Sequence, residues 1–464
     1  MQSSNSGTLV FNNQTIVEIA AGLDFGLNTT TINATLQINA GGFANNNAPI
    51  YGPNGILIYN NGGEYLRRVE WSGTEGTPGF PNDVIIQNNS FVKAGGSSGS
   101  AINTPFAARR DVTIQAGSTL SMDLETNTLA MDESLNVGRD ILINGTLTAS
   151  SNSGSDVYVG RNWFRSGIFT ANNRAVFFNT AQAGSIEYNG GTETFPFVVI
   201  DKSGGASTQL TLNSPVDITN KLTLTSGSVI TTTSNLLRIT NSAPDDATNG
   251  IEYTDGNPAY IDGPLRREVN TTSGSNSYVF PVGRLDGSTH FAKRIRMKEL
   301  TNGAGSFTVT YERGNPPGGI PYTFQDIIKG IRESEYWNVD RTTGSTQGRI
   351  VLPYNYLPGN TWKWIDGSNV TPNLIARVAV VRGSGPNWNF TDPLNSAFST
   401  EGSEPEGRLV NTDGDISSRH IDAFSPFTFG WGLNQVLILP LKLLGFTAKA
   451  TGPDVLLQWQ FADA

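Results

Sequence analysis

The sequence contains no cysteine and only two histidines among its 464 residues. The first absence excludes disulfides, thiolate metal sites and cysteine nucleophiles. Ser–His–Asp catalysis needs a positioned base, but His290 and His420 both lie in polar, turn-like contexts. We interpret them as surface or packing residues. No zinc-protease, P-loop or dinucleotide-binding motif appears in a convincing context.

Charge is also scarce, because only 15% of the residues are charged and the formal net charge is −9. Soluble domains usually carry about a quarter of charged residues. An acidic chain without a concentrated basic surface argues against nucleic acid as a partner. No apolar run reaches about 18 residues, so no transmembrane segment is predicted. The first residues lack the basic and apolar parts of a signal peptide, as expected of a processed chain or a fragment.

Glycine, in contrast, is abundant, with 52 residues, and the apolar residues (37%) are spread along the whole chain. This distribution argues against disorder. Short bursts of Val, Leu and Ile alternate with Thr, Ser, Asn and Gly, as in Leu212–Thr240. Such a texture is typical of an all-β protein with many turns.

One motif recurs in the first half of the chain. Val137–Ser150 and Val159–Asn172 share Val-Gly-Arg-[Asp/Asn] and a later Gly at a spacing of 22 residues, and Arg109–Asp123 is a slightly longer copy. One unit cannot bury its apolar face alone, whereas stacked units can. The pattern predicts a right-handed parallel β-helix of about ten turns over residues 1–245, with polar ladders outside. An antiparallel sandwich is the structural alternative.

The motif ends near Ser242–Gly250, and the remaining chain has a different texture. Strands between Gly and Pro turns predict an antiparallel β-sandwich over residues 246–437. Its candidate strands are Ser275–Gly283, Ser306–Gly314, Gly348–Tyr356, Ile375–Gly383 and Phe424–Gly432. Phe324–Tyr336 is a candidate for a short helix. Residues 438–464 are interpreted as the start of a fibronectin-like module or as a C-terminal hairpin, with strands at Leu443–Ala448 and Val455–Trp459.

The stretch Val159–Tyr188 resembles a sequence pattern that is common in large secreted surface proteins of the Bacteroidota. In those proteins a Trp-containing strand precedes Gly-x-Phe, a Val-x-Phe run and a Gln-x-Ile strand, where this chain has Gly-Ser-Ile-Glu-Tyr. Later segments resemble the β-sandwich and the fibronectin-like module that follow in such proteins. These segments are Gly263–Val269, Tyr278–Gly283, Glu335–Asp340, Phe424–Gly432 and Leu439–Trp459.

The resemblance covers most of residues 155–464, and the order of the segments is its stronger part. It implies export to the cell surface or medium by the type IX secretion machinery, and an adhesin-like or structural role. A C-terminal sorting domain normally closes such proteins and is absent from this sequence. The export route is therefore an expectation from the resemblance alone.

The repeat places charged residues at two sets of equivalent positions. The acidic set is Asp111, Asp140 and Asn162, and the basic set is Arg110, Arg139 and Arg161. Like charges stacked at strand spacing repel each other unless they are paired or bind an ion. One interpretation is therefore a calcium or uronate site. The other, which we favour, is that the two sets pair with each other across the turns.

Asn411, Asp413 and Asp415 place oxygen ligands at alternate positions, which is a spacing that calcium accepts. No Glu follows at the distance that an EF-hand requires, and Asp-Gly is also a strong turn signal. Calcium is therefore a candidate cofactor here, with a tight turn as the alternative. Asp245 and Asp246 are interpreted as part of a turn between domains.

Trp362 and Trp364 alternate, so they share one face of a strand. If that face is exposed, the rings could form a stacking platform for a glycan. If it is buried, they belong to the core, which is the more usual place for large aromatic residues.

Together these observations predict a non-enzymatic, extracellular, rod-like scaffold of structural or adhesin-like type. Its repetitive polar surface could bind surfaces or glycans through many weak contacts, and open solenoid ends could support self-assembly into fibres. The alternatives are a carbohydrate-active enzyme (a polysaccharide lyase or hydrolase) on a β-helix and a carbohydrate-binding protein. The identity of the ligand is not encoded in any motif.

Overall fold

The computed structural model is built almost entirely of β-strands. It describes residues 8–94, 104–123, 133–202, 204, 208–253, 259–271, 277–318, 323–324, 328–355, 362–363, 368–370, 377–384, 387–391, 405–424, 426–432, 443–451 and 454–461. Within these ranges no α-helix occurs, and one 3₁₀ turn lies at Val69–Trp71. The prediction of an all-β protein is confirmed. No helix in the described ranges could cross a membrane.

The first part of the chain is a β-solenoid of about 11 turns. Each turn adds one short strand to a central ladder, in which successive strands pair in parallel. The strands of this central ladder are Ile16–Ile19, Thr35–Asn39, Ile56–Asn60, Asp83–Ile86, Val112–Ile114, Ile141–Ile143, Trp163–Arg165, Gly184–Tyr188, Gln209–Leu212, Ser228–Ile230, Tyr260–Asp262 and Val282–Asp286.

Two further sets of parallel strands flank the central ladder. The strands that precede it are Leu9–Phe11, Thr30–Ile32, Ile50–Tyr51, Phe106–Ala108, Leu135–Val137, Val157–Val159, Ala175–Phe178, Glu193–Asp201, Val216–Ser226 and Gly250–Glu252. The two longest, Glu193–Asp201 and Val216–Ser226, belong to both sets, because their first residues follow one central strand and their last residues precede the next. Those that follow it are Gly22–Leu23, Phe43–Ala44, Glu64–Leu66, Phe91–Lys93, Thr119–Ser121, Thr146–Thr148, Ile168–Thr170, Leu237–Ile239 and Leu265–Val269.

Alternation of apolar and polar residues determines which side chains point inward. Val84, Val112, Ile141 and Trp163 are in register on consecutive turns, and each is fully buried. The intervening side chains point outward, because successive side chains of a strand alternate between its faces. The parallel β-helix prediction is therefore confirmed as a solenoid, and the antiparallel alternative for this half is wrong. Its right-handedness stays a prediction.

Parallel pairing continues beyond residue 245. Ser228–Ile230 pairs with Tyr260–Asp262, and Ile261 in turn pairs with Val282. Leu265–Val269 is parallel to Leu237–Ile239 on one side and antiparallel to Gly305–Arg313 on the other. This strand joins the solenoid to the antiparallel part of the chain, and the two share one hydrophobic core.

The strands after the solenoid pair mainly antiparallel. One group comprises Gly305–Arg313, Thr323–Phe324, Ile328–Arg332, Glu335–Gly344, Trp362–Lys363, Asn369–Val370, Arg377–Ser384, Asn387–Phe390, Arg408–Leu409 and Phe427–Gly432. A four-stranded sheet contains Ser277–Phe280, Ile295–Thr301, Gln347–Tyr354 and Gly414–Ser417. Thr289–Ala292 pairs antiparallel with Val282–Asp286.

The short helix expected within Phe324–Tyr336 is wrong for the described part of that segment. Ile328–Arg332 is a strand that pairs with Phe427–Gly432, and Ile331 is buried. A short apolar run does not distinguish helix from strand by itself, and here the ladder partner decides the outcome.

The last two described strands, Leu443–Thr451 and Asp454–Phe461, form an antiparallel hairpin. Their pairing confirms the hairpin predicted from the two runs around Gly-Pro. Phe446, Val455 and Leu457 are about half exposed or more.

Candidate functional site

The repeated arginines and aspartates form one continuous ladder of ion pairs on the outside of the central strands. Arg110 pairs with Asp83, Arg139 with Asp111, and Arg161 with Asp140. In each pair the arginine Nε and Nη2 contact the two carboxylate oxygens of the preceding turn, with Nε–Oδ1 distances of 3.0, 2.8 and 2.7 Å. The predicted pairing across turns is confirmed for Arg139 with Asp111 and for Arg161 with Asp140, whereas Asp83, the partner of Arg110, was not in the predicted acidic set.

The same carboxylates also accept backbone hydrogen bonds from the next turn. Asp140 Oδ1 accepts the N–H of Asn162 at 3.2 Å and its side-chain amide at 2.9 Å. Burial raises the pKa of Asp140, but the hydrogen bonds and charge of Arg161 outweigh that effect and lower it overall. Asn162 then accepts a hydrogen bond from Ser185, so the ladder ends in neutral side chains.

Close stacking of the turns requires glycine beside the ladder. A Cβ atom on Gly138 would lie 2.2 Å from the carbonyl oxygen of Arg109, and one on Gly160 would lie 2.1 Å from that of Gly138. The glycine of the Val-Gly-Arg motif is thus explained by the approach of neighbouring backbones.

Other outward positions carry amides and apolar side chains. Asn60 donates to Asn39 at 3.0 Å, and Gln87 donates to Asn60 at 3.2 Å, which forms an amide ladder of the expected kind. A parallel row of half-buried residues is mostly apolar and was missed by the sequence analysis. This row is Ile58, Ile85, Thr113, Leu142 and Phe164.

Of the candidate calcium ligands, Asp415 is engaged with two arginines. Asp415 forms ion pairs with Arg294 at 3.1 Å and with Arg296 at 2.5 Å, so two cations already neutralise it. Asn411 and Asp413 lie in an exposed turn. Among the described residues, no group of three or more His, Cys, Asp or Glu could hold a metal ion. This geometry favours the tight-turn interpretation.

Of the two tryptophans of the candidate glycan platform, the structure describes only Trp362. Trp362 is 3% exposed, so its ring is not available for stacking against a glycan. Trp364 lies outside the described residues, and its part of the platform stays a prediction.

The two histidines, and the adjacent acids Asp245 and Asp246, also have structural roles. Tyr260 Oη lies 2.8 Å from His290 Nδ1, and Thr301 Oγ1 lies 3.1 Å from His420 Nε2. Asp245 does more than shape a turn, because it forms a two-point ion pair with the buried Arg267. Asp246 accepts hydrogen bonds from the backbone N–H groups of residues 248 and 249.

Several buried ionisable groups lack any sequence motif. Glu193 is fully buried and accepts hydrogen bonds from Trp163 Nε1 at 2.9 Å and from Arg165 Nε at 2.7 Å. Glu335 is held by Lys293 and Arg332 at 3.3 and 3.1 Å. These charges are paired, as buried charges must be to persist.

Two buried groups are less well compensated. Glu70 Oε1 accepts hydrogen bonds from Tyr59 and Tyr65, each at 3.0 Å, but Oε2 has no partner among the described residues. Burial raises the pKa of Glu70 despite these bonds. Among the described residues, Lys202 Nζ donates to the carbonyl oxygens of Gly160 and Gln182, and burial lowers its pKa to about 8.

A polar cleft of about 490 Å³ lies beside the last central strand of the solenoid. Its charged and amide side chains are Arg284, Asp286, Glu312, Arg313, Asn315 and Glu333. Arg284 and Asp286 belong to the strand Val282–Asp286, and Glu312 and Arg313 end the strand Gly305–Arg313, which Asn315 follows closely. Glu333 lies between Ile328–Arg332 and Glu335–Gly344. No sequence pattern predicts this cleft, because its residues belong to no repeat and are far apart in the chain.

The chain matches no protein-family model, no curated protein and no solved structure. A solenoid fold alone does not distinguish an adhesin from an enzyme. The evidence for its function therefore lies in its surfaces.

Proposed function

We propose that this protein is a non-enzymatic, extracellular scaffold of structural or adhesin-like type. The resemblance to Bacteroidota surface proteins supports this role, together with export by the type IX machinery. The same resemblance supports an interpretation of the antiparallel sheets as a β-sandwich and of the hairpin as part of a fibronectin-like module.

The ladder from Asp83 to Arg161 carries the proposal. A polysaccharide lyase or hydrolase on this scaffold would require carboxylates that face substrate. In the repeated part, each of the three ladder carboxylates instead binds an arginine of the next turn through both of its oxygens. Their repetition serves the stacking of turns, which suits a rigid spacer about 50 Å long at the usual strand spacing.

The two solenoid ends differ, which favours a scaffold over an end-stacked fibre. Val282–Asp286 is covered by its antiparallel partner Thr289–Ala292, whereas Leu9–Phe11 pairs only with Thr30–Ile32 among the described strands. Head-to-tail stacking requires two complementary ends. The edge strand at this end, Thr289–Ala292, is antiparallel, so it does not continue the parallel ladder.

The proposal is tested by shape and by the absence of turnover. Negative-stain images should show elongated particles. A panel of neutral, uronate-containing and amino-sugar polysaccharides, incubated with calcium, should release neither new reducing ends nor unsaturated products. Compact round particles, or turnover that survives repurification, would contradict the scaffold role and favour the carbohydrate-active alternative.

A further inference from the structure

We propose that the cleft bordered by Arg284 and Arg313 binds a neutral, polyhydroxylated saccharide. This assignment deepens the adhesin-like role, on which it rests, by naming a binding site and a ligand class. It replaces the tryptophan platform as the glycan site, since Trp362 is buried.

Two crossed ion pairs connect the walls of the cleft, which means that each wall contributes the arginine of one pair and the acid of the other. Arg284 and Asp286 belong to one strand, and Glu312 and Arg313 end another. Arg284 Nη1 contacts Glu312 Oε2 at 3.0 Å, and Arg313 Nε contacts Asp286 Oδ2 at 3.4 Å. Each wall therefore presents one donor group and one acceptor group to the space between them.

Both ion pairs are single contacts at the surface, in contrast to the two-point pairs of the solenoid ladder. The side chains of Arg284 and Asp286 are 44% and 57% exposed. Exposed pairs of this kind contribute little to stability because water screens them. A ligand can replace one contact, or add to it, without unfolding the neighbouring strands.

The balance of charge selects the class of ligand. Two guanidinium groups (Arg284 and Arg313) face three carboxylates (Asp286, Glu312 and Glu333), which gives a net charge of −1. An apolar ligand would desolvate these charges without replacing their hydrogen bonds. An anion would meet the carboxylates, and no described acidic cluster is suited to a metal ion.

A sugar hydroxyl matches this mixed lining because it both donates and accepts hydrogen bonds. It can accept from a guanidinium and donate to the adjacent carboxylate at the same position. Neighbouring hydroxyls of one ring can repeat that pattern along the cleft, with Asn315 supplying one more donor and acceptor.

One wall is also held in place before a ligand arrives. The guanidinium of Arg313 lies over the ring of Phe291, 3.9 Å from its centroid. Stacking on an aromatic face restricts a planar guanidinium. Less conformational entropy is then lost on binding.

Affinity electrophoresis of the whole chain tests the assignment. Native gels contain either a soluble neutral polysaccharide (galactomannan, xyloglucan, mixed-linkage glucan or dextran), polygalacturonate or chitosan. We expect at least one neutral polymer to retard the protein. The variants Glu312→Gln and Arg284→Gln should each weaken that retardation at least tenfold. Glu312→Gln is isosteric, so it keeps the test valid if Arg284→Gln does not fold.

The matched control for Arg284→Gln is Arg238→Gln, which makes the same charge change in a partly exposed solenoid pair with Asp217. It should be retarded like the unaltered chain. Three results would overturn the assignment: no retardation by any neutral polymer, equal retardation of folded cleft variants, or retardation by charged polymers only. Elongated particles without turnover would then leave the scaffold role standing, so the two failures are distinguishable.

Discussion

Asp140 and Arg161 lie on consecutive turns of the solenoid and join them through a two-point ion pair, with 2.7 Å between Arg161 Nε and Asp140 Oδ1. The preceding arginine, Arg139, makes the same contact with Asp111 one turn earlier. Stacked aspartates would repel each other, and so would stacked arginines. Here each aspartate is stabilised by the arginine of the next turn.

A double-mutant cycle measures this contact. Asp140→Asn keeps an oxygen for the backbone N–H of Asn162 and removes the charge, while Arg161→Gln removes the partner. We expect the double variant to be destabilised by about 1 kcal/mol less than the sum of the single variants, because the pair is partly screened by water. Chemical denaturation gives the free energies of unfolding. Additive single effects would show that the pair contributes nothing.

The glycine beside the ladder predicts a steric effect. Gly160→Ala places a Cβ atom against the carbonyl oxygen of Gly138, and the neighbouring turns must move apart. Overpacking of this kind lowers the free energy of unfolding by about 1–3 kcal/mol. Gly63→Ala is the control, since nothing lies within 4 Å of its Cβ position. Equal unfolding midpoints for the two variants would contradict the close approach.

Lys202 predicts stability that increases with pH. Its folded-state pKa is about 8, below the ordinary 10.5, so the folded protein binds fewer protons than the unfolded chain. Stability is reduced below the folded pKa and recovers as pH rises through about 8 towards 10.5. In Lys202→Met this contribution disappears, and the variant should gain most over the unaltered chain near neutral pH. A difference that is constant between about pH 7 and 9.5 would contradict this explanation.

Glu70 predicts the opposite slope. Its pKa is raised in the folded state, so the folded protein holds the proton more tightly than the unfolded chain. The contribution of Glu70 to stability is therefore present at low pH and is lost as pH rises through the folded pKa. Relative to the unaltered chain, Glu70→Gln should become more stable between about pH 4 and pH 7. Denaturation curves of both proteins at matched pH measure the difference. A stability advantage of Glu70→Gln that decreases as pH rises would refute the raised pKa.

The pairing of Asp415 with Arg294 and Arg296 predicts indifference to calcium. Calcium or a chelator should leave the thermal midpoint unchanged, because that carboxylate is already neutralised by two guanidinium groups. A calcium-dependent increase in the thermal midpoint that is abolished by Asp413→Asn would instead support the candidate metal site.

The repeated half was predictable because its physics is periodic. Val137–Ser150 and Val159–Asn172 show both the spacing of the turns and the equivalence of Asp140 and Asn162, so the ladder followed from register alone. Glu193 gave no such signal, because it lies outside the repeated motif, although its partners Trp163 and Arg165 lie within the copy Val159–Asn172. Alternation placed Trp362 on one face of a strand, but only packing shows that this face is buried.

The cleft between Arg284 and Glu312 was unpredictable for a related reason. It depends on how two non-repeated strands are placed against each other. The sequence contains the charges but no period that would bring them together. The crossed arrangement of donors and acceptors exists only after folding.

The strand Leu265–Val269 has a different partner geometry on each of its edges, parallel towards Leu237–Ile239 and antiparallel towards Gly305–Arg313. It therefore acts as a boundary for changes in chain length. Duplication or loss of a whole turn upstream of it would lengthen or shorten the rod by one step of about 4.8 Å. The antiparallel region would keep its own pairing and would be carried closer to or farther from the other end, which makes the distance between the two regions adjustable during evolution.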